Sequence, residues 1–294
     1  MKNSTRDTFS DKWEYNRRLA FEETLREGSD IFLWILGRNG FVNVAEFSQY
    51  LKDKRRVLDA GCGNGRVTAL LRRYSPSSTE IVAIDLVSSE IARENLEVFG
   101  LSHGVSFYEK DLLGDLLDLG RFDFIYCQEV LHHTSNPEGA FRNLCSLLSK
   151  EGEIAIYVYK KKAPVREFVD DYLREKISGL PYGDAIRVCG QITELGRVLS
   201  QQQLRIRVPH IGVLGMEGGD YDLQRFLYHF FMKCFWNPDL TFQENVAINY
   251  DWYHPQIATR HTVEEVRGWF IRSKLKIVHE NVDLYGITVR GKPG

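Results

Sequence analysis

The stretch that decides the fold is VLDAGCGNGR, residues 57–66. It begins with an apolar run typical of a buried strand and continues directly into a loop that contains Gly61, Gly63 and Gly65. Glycines at this spacing let the backbone turn sharply and bring bare N–H groups close to a ligand at the start of the following helix. The stretch therefore predicts a nucleotide-cofactor loop between a strand and a helix.

Asp59 and Arg66 narrow the choice of cofactor. A carboxylate two residues before the first glycine would repel a pyrophosphate, and the NAD fingerprint needs a third glycine where this chain has Arg66. S-adenosylmethionine instead offers an ammonium group to Asp59. The motif resembles the first motif of the class I S-adenosylmethionine-dependent methyltransferases, in their small-molecule, type 11-like branch.

Three further apolar runs end in polar residues, as they do in this family. They end at Asp85, Asp111 and Gln128. The resemblance implies that Asp85 and the adjoining Leu86 hold the ribose, and that Asp111 and the N–H of Leu112 hold the adenine. It also implies that Gln128 lines the cofactor site.

The runs alternate with helical patterns and show no alternating solvent face, which indicates a parallel sheet buried on both sides. Ligands of such sheets bind outside the carboxyl ends of the strands. Residues 261–292 add a helix with a capping-box start and two more strands, which resemble the family's closing antiparallel hairpin. We therefore expect an α/β fold, a Rossmann-like doubly wound seven-stranded sheet with an antiparallel last strand.

The resemblance divides the chain into three parts. Residues 56–160 and 261–294 form the expected cofactor domain. Residues 1–55 are expected to be a helical N-terminal lid segment, with ordinary packing against the sheet as the alternative. Residues 161–260 form an insertion that we expect to be a helical cap over the acceptor.

Histidine is the side chain best suited to accept a proton from a methyl acceptor near pH 7. The candidates for this catalytic role are His132, His133, His254 and His261, and of the adjacent pair at most one is expected to act. Tyr253 and Glu129 are possible substitutes. Each histidine could equally have only a structural role.

The insertion also offers candidate acceptor-binding residues. Trp252, Tyr253 and Arg260 combine aromatic walls with polar tips, as small-molecule pockets do, although such residues also occur in cores. A basic run, Lys160 to Lys162 with Arg166 downstream, lies at the start of the insertion. The first interpretation of this run is a solvated surface. A carboxylated or phosphorylated acceptor, or RNA, would also be drawn to it.

Composition argues against several other classes of protein. A net charge of -2 over 294 residues gives no general attraction to nucleic acid, and no apolar run is long enough to span a membrane. The polar first residues resemble neither a signal peptide nor an anchor. Five cysteines without paired spacing suit a reducing cytoplasm, and the sequence shows no metal-ligand motif.

The expected activity is therefore methyl transfer from S-adenosylmethionine to a small molecule, with the acceptor atom and the oligomeric state left open. Two alternatives remain at this point. One is an RNA or protein methyltransferase on the same fold, and the other is an inactive cofactor-binding regulatory subunit.

Overall fold

The computed structural model describes residues 5–294, which group into two compact units. The sheet unit comprises residues 17–160 and 259–294, and the insertion unit comprises residues 5–16 and 161–258. Within the described chain, no helix is both long and apolar enough to cross a membrane.

The sheet unit is built on seven strands in the order β3-β2-β1-β4-β5-β9-β8. Strands β1 to β5 run parallel, whereas β9 pairs antiparallel with both β5 and β8. This confirms the predicted doubly wound sheet and its antiparallel last strand. The strands are β1 Arg56–Ala60, β2 Glu80–Asp85, β3 Val105–Glu109, β4 Phe122–Gln128, β5 Leu148–Tyr159, β8 Leu275–Val282 and β9 Gly286–Pro293.

Both faces of this sheet are buried, since consecutive residues of one strand pack into hydrophobic cores on opposite faces. In β1, Leu58 packs in a core that includes Phe141 and Phe270, whereas Val57 packs in a second core that includes Leu70. Apolar side chains at consecutive positions are therefore required here, as in other parallel sheets. The helices of the unit are α2 Phe21–Leu25, α3 Asp30–Arg38, α4 Val44–Leu51, α5 Arg66–Tyr74, α6 Ser89–Val98, α7 Pro137–Cys145 and α12 Val263–Arg272.

Local chemistry sets several of these boundaries. Asn136 caps α7 by accepting a hydrogen bond from the Gly139 N–H at 2.9 Å, and α12 begins with the predicted capping box of Thr262 and Glu265. One strand limit differs from expectation. The third strand ends at Glu109, so that Asp111 lies in the following turn.

The insertion unit is mainly helical. Its α1 packs onto α11, because Thr8 hydrogen-bonds to His254 at 3.0 Å and Lys12 pairs with Asp251 at 2.8 Å. The predicted segment 1–55 is therefore divided between the two units. The elements of the insertion unit are α1 Thr5–Tyr15, α8 Pro164–Ile177, α9 Tyr182–Gln201, β6 Arg205–Val208, β7 Gly219–Asp222, α10 Leu223–Phe230 and α11 Phe242–Tyr253.

Candidate functional site

The glycine loop joins β1 to α5 and needs glycine for two separate reasons. Gly61, Gly63 and Gly65 have φ values of +85°, +55° and +85°, a region that disfavours side chains. A Cβ on Gly61 would also lie 2.2 Å from Cγ2 of Val130, and one on Gly65 would lie 2.7 Å from Cδ1 of Leu96. The loop is thus a bare backbone cradle at the carboxyl end of β1.

Asp59 lies one residue before the end of β1 and is buried, with only 2% of its surface exposed. Its Oδ2 accepts a hydrogen bond from the Thr68 hydroxyl of α5 at 2.6 Å. Burial raises the pKa of Asp59 to about 7, with the nearby Asp85 adding to the rise and Thr68 opposing it. A cationic group would stabilise the ionised form of this carboxyl.

Asp85 ends β2 and organises the backbone around it. Its carboxylate accepts hydrogen bonds from the N–H groups of Gly63 at 3.0 Å, Val87 at 3.0 Å and Ser88 at 3.2 Å. Leu86, the other predicted ribose contact, is half-buried beside it. The predicted ribose acid therefore also fixes the shape of the glycine loop.

Asp111 and Leu112 lie next to Asp85, because the N–H of Lys110 donates to the backbone oxygen of Asp85 at 2.8 Å. Asp111 is exposed and accepts a hydrogen bond from the N–H of Leu113 at 2.9 Å, whereas Leu112 is buried. An exposed carboxylate beside a buried leucine gives this edge of the crevice one polar and one apolar group.

Gln128 ends β4 and belongs to a buried network. Its Oε1 accepts hydrogen bonds from Tyr126 at 2.9 Å and from Asn39 at 3.2 Å, and its Nε2 donates to Asn39 Oδ1. Asn39 directly follows α3, so the amide connects that helix to the sheet. The side chain predicted to face the cofactor is largely occupied by these protein contacts.

Sequence reasoning did not single out Arg38, which is fully buried at the end of α3. Its guanidinium lies over the rings of Trp34 at 3.8 Å and Tyr157 at 4.7 Å. Glu129 carries φ +67° and places its carboxylate 3.6 Å from Arg38 and 2.9 Å from Arg66. The positive φ of Glu129, directly after β4, marks a constrained turn at the crevice.

Two of the four candidate histidines pack their rings against Tyr159 at the end of β5. The ring of His132 stacks on that of Tyr159 with centroids 3.6 Å apart, and the ring of His133 meets it edge-on at 5.6 Å. His261 donates its backbone N–H to the backbone oxygen of Tyr159 at 2.8 Å, but its ring packs on Trp269, with Nε2 3.0 Å from the Thr259 hydroxyl. The half-buried Arg260 precedes His261, next to Thr259, whose N–H donates to the His132 oxygen at 2.8 Å.

His254 lies in the other unit and is held there through both ring nitrogens. Nδ1 is 3.0 Å from the hydroxyl of Thr8 and Nε2 is 3.0 Å from the oxygen of Leu180, while the ring stacks on Tyr250. Burial lowers the pKa of His254. These contacts give the side chain a packing role within the insertion unit.

Trp252 and Tyr253 are also buried in the insertion unit, and both donate to one carboxylate. Trp252 Nε1 lies 2.9 Å from Oδ2 of Asp170, and the Tyr253 hydroxyl lies 2.8 Å from Oδ1. Within residues 5–294, no cluster of three or more His, Cys, Asp and Glu side chains could hold a metal ion.

Comparison with known proteins identifies the family to which this chain belongs. The profile of the methyltransferase domain family matches residues 39–206, more than half of the chain. Juvenile hormone acid O-methyltransferase of Bombyx mori is 37% identical over 103 residues, which are 33% of this chain and 36% of that protein. The tRNA U34 carboxymethyltransferase of Sulfurimonas denitrificans is 32% identical over 115 residues, 36% of this chain and 35% of that protein.

A solved structure extends the likeness of fold to nearly the whole chain. Magnesium protoporphyrin IX methyltransferase from Synechocystis PCC 6803 with bound S-adenosylhomocysteine aligns with a TM-score of 0.50 and 13% identity, and the alignment covers 98% of each chain. This chain spans about a third of the length of the curated relatives that it matches. The matched domain, the seven-stranded sheet and its glycine loop place the chain among the class I S-adenosylmethionine-dependent methyltransferases.

Proposed function

We propose that this protein transfers the methyl group of S-adenosylmethionine to a small-molecule acceptor. The observation that carries the proposal is the hydrogen bond that joins Gly63 to Asp85, since it sets a bare backbone loop beside a carboxylate at the carboxyl ends of β1 and β2. Such a loop suits a nucleoside cofactor in an open α/β sheet. The small-molecule acceptor is supported by the relative named for a juvenile hormone acid.

Each predicted cofactor residue has a place in this proposal. Asp85 and Leu86 hold the ribose, Asp111 and Leu112 hold the adenine, and the glycine loop passes beneath the methionine portion. Asp59 pairs with the ammonium group. Gln128 acts as a positioning residue, because its amide is bonded to Asn39 and Tyr126.

When bound, S-adenosylmethionine would supply a sulfonium methyl group for in-line transfer to an acceptor atom, with S-adenosylhomocysteine as the leaving group. The protein then has to align the acceptor and take up its proton. We assign the proton to the histidine group on Tyr159, comprising His132 and His133. The ring nitrogens of His254 lie 3.0 Å from Thr8 and Leu180, and those of His261 lie 3.0 Å from Thr259 and 3.8 Å from Glu265. Residues 161–260 select the acceptor in this proposal.

The location proposed for this activity is the cytoplasm. All five cysteines are free thiols, as expected in a reducing compartment.

The cofactor assignment is tested by calorimetric titration with S-adenosylmethionine, S-adenosylhomocysteine and NAD. We expect both sulfur ligands to bind at micromolar concentrations and NAD not to bind. Binding of NAD, or of none of the three, would contradict the proposal.

The acceptor class is tested with S-adenosylmethionine labelled on its methyl group. A panel of carboxylic acids, phenols and amines is compared with bulk tRNA and a protein extract, because one relative is named for tRNA. We expect label in the small-molecule fraction. Label only in RNA or protein would overturn the acceptor class, and cofactor binding without any transfer would favour a regulatory subunit.

A further inference from the structure

The insertion unit holds an unusual group of cations around one buried indole, that of Trp252. Four cationic groups lie within 5.9 Å of this ring, and we call them the cation cluster. Its members are Lys162 at 5.9 Å, Arg166 at 5.3 Å, Arg174 at 5.7 Å and Lys233 at 4.9 Å from the ring centroid. Burying charges of one sign together is costly unless an opposite charge compensates them.

The carboxylate nearest to the cluster, Asp170, is fully used. Besides Trp252 and Tyr253, it accepts hydrogen bonds from Nε of Arg166 at 3.1 Å and from the backbone N–H of Lys233 at 3.0 Å. Four donors fill the positions that a carboxylate offers. Asp170 therefore has no lone pair left for the rest of the cluster.

Three other carboxylates lie near the cluster. Asp171 pairs with Arg174, a member of the cluster, at 2.9 Å, and Glu167 accepts a hydrogen bond from the backbone N–H of Lys162 at 2.6 Å. Asp251 pairs with Lys12 at 2.8 Å. The pKa of Lys233 is lowered to about 7, mainly by burial, with Arg166 adding to the decrease and Asp251 and Asp170 opposing it.

Arg166 supplies the clearest sign of a missing partner. Only 1% of its side chain is exposed, and its Nη1 has no hydrogen-bond partner among residues 5–294. Its guanidinium lies over the ring of Tyr228 at 4.6 Å. The guanidinium of Arg225 lies 5.6 Å from the same ring, and its Nη1 likewise has no partner in the described chain. An unsatisfied buried charged donor costs more than an ordinary lost hydrogen bond.

Three cations of this region also act on a nearby histidine. The pKa of His229 is lowered to about 3, first by burial and then by Arg166, Arg225 and Lys162. Lys162 and Arg225 are half-buried, so the positive region extends from the buried Arg166 towards the protein surface.

We propose that the cation cluster and Arg225 form an oxyanion-binding site for a small organic carboxylate. This proposal does not depend on the proposed function. Nη1 of Arg166 donates to one carboxylate oxygen, Lys233 supplies the compensating charge, and the rings of Trp252 and Tyr228 contact an apolar body. A carboxylate on an apolar body fits better than inorganic phosphate, because the rings of Trp252 and Tyr228 lie beside the guanidinium of Arg166.

The test uses sodium benzoate as the probe at fixed ionic strength, with benzyl alcohol as its neutral analogue and inorganic phosphate as the second oxyanion. Binding is followed by NMR titration and by the shift in Tm. We expect benzoate to bind and to raise the Tm of the protein. Neither benzyl alcohol nor added chloride should change the NMR spectrum or the Tm. Preferential binding of phosphate would overturn the carboxylate assignment, and equal effects of benzoate and chloride would overturn the site.

Two variants and a control locate the binding. Arg166→Gln removes the unpartnered donor, and Lys233→Met removes the ammonium while keeping the backbone N–H that bonds to Asp170. Each should weaken benzoate binding by about tenfold or more, as expected for the loss of a charge-assisted contact. Arg207→Gln, on the exposed surface of the same unit, should change nothing. If Arg166→Gln does not fold, the Lys233→Met variant tests the proposal by itself. Unchanged benzoate binding in the Lys233→Met protein would then refute the proposal.

Titration of S-adenosylmethionine into the same proteins separates this proposal from the proposed function. Cofactor binding without benzoate binding would refute the oxyanion site alone. Benzoate binding without cofactor binding would refute the methyltransferase proposal alone.

Discussion

The backbone N–H of Gly63 donates a hydrogen bond to Oδ2 of Asp85 at 3.0 Å. This contact ties the middle of the glycine loop to the end of the neighbouring strand. The residue proposed to bind the ribose therefore also holds the glycine loop in place. Loss of Asp85 should consequently affect both cofactor binding and folding.

For Asp85→Ala we expect at least about a tenfold loss of S-adenosylmethionine affinity and a destabilisation of about 1–3 kcal/mol, because backbone donors lose their acceptor. Asp85→Asn retains an acceptor oxygen and should destabilise less. Calorimetry and urea denaturation measure the two effects. The exposed Asp53→Ala is the control, and similar losses in both alanine variants would show that the effect is not local.

The pKa of Asp59 makes cofactor binding depend on pH. Burial raises this pKa to about 7 in the free protein, so the carboxyl becomes increasingly protonated as the pH falls below 7. A bound ammonium group favours the ionised form, and binding therefore releases a proton. The affinity for S-adenosylmethionine should therefore fall as the pH drops from 7.0 to 5.5. The steepest decrease expected is about tenfold per pH unit. Calorimetry in buffers of different ionisation enthalpy detects the released proton, and Asp59→Asn should abolish the dependence.

Gly61→Ala should prevent normal loop formation. The added Cβ would overlap the side chain of Val130, and φ is +85°. We expect loss of S-adenosylmethionine binding and a destabilisation of about 1–3 kcal/mol from backbone strain. Gly37→Ala, which lies in α3 with open space around the new Cβ, should leave binding intact and is the matched control. An unaltered Kd in Gly61→Ala would show that the cradle is not part of the cofactor site.

The roles of the candidate histidines can be distinguished by substituting them with glutamine. If one member of the histidine group on Tyr159 accepts the proton, His132→Gln or His133→Gln should lower kcat by about 10²–10⁴-fold without changing the Kd of S-adenosylmethionine. His254→Gln tests the contrasting packing role, since its contacts with Thr8 and Leu180 predict reduced stability. A large loss of kcat in a stably folded His254→Gln protein, with none in the others, would reverse the assignment.

Asp170→Asn should be among the most destabilising conservative substitutions in the insertion unit. It removes the buried charge that balances Arg166 and replaces one acceptor with a donor. Breaking a buried pair in this way costs about 3–5 kcal/mol. Urea denaturation of Asp170→Asn is compared with Asp171→Asn, whose carboxylate is largely exposed and should cost less than about 1 kcal/mol. Equal losses would mean that the buried pair contributes no more than a surface pair.

The positions of Asp59 and Asp85 in the fold could be predicted from sequence for a geometric reason. Parallel strands bring their carboxyl ends to one edge, so a residue at the end of such a strand lies at that edge. The partners of these two residues lie in the same segment from β1 to β2, since Thr68 is 9 residues from Asp59 and Gly63 is 22 residues from Asp85. Residue type and strand order were therefore sufficient to place these side chains, whereas their roles towards a cofactor stay predictions.

The insertion could not be predicted in the same way. Trp252 bonds to Asp170, 82 residues away, and His254 bonds to Thr8, 246 residues away. A sequence shows that such side chains are aromatic or titratable, but it does not show which distant group will occupy their polar atoms. Gln128 illustrates the same difficulty within the sheet, because its partner Asn39 lies 89 residues away.

The contact between α1 and α11 also affects how the chain acquires its structure during synthesis. Lys12 meets Asp251 only after 239 further residues have been added, and the whole sheet unit up to Lys160 is made in between. Contacts of such long range close late, because the entropy of the intervening chain opposes them. Thr8 and Lys12, the buried residues of α1, therefore remain without their native partners throughout that interval, until residues 242–254 emerge.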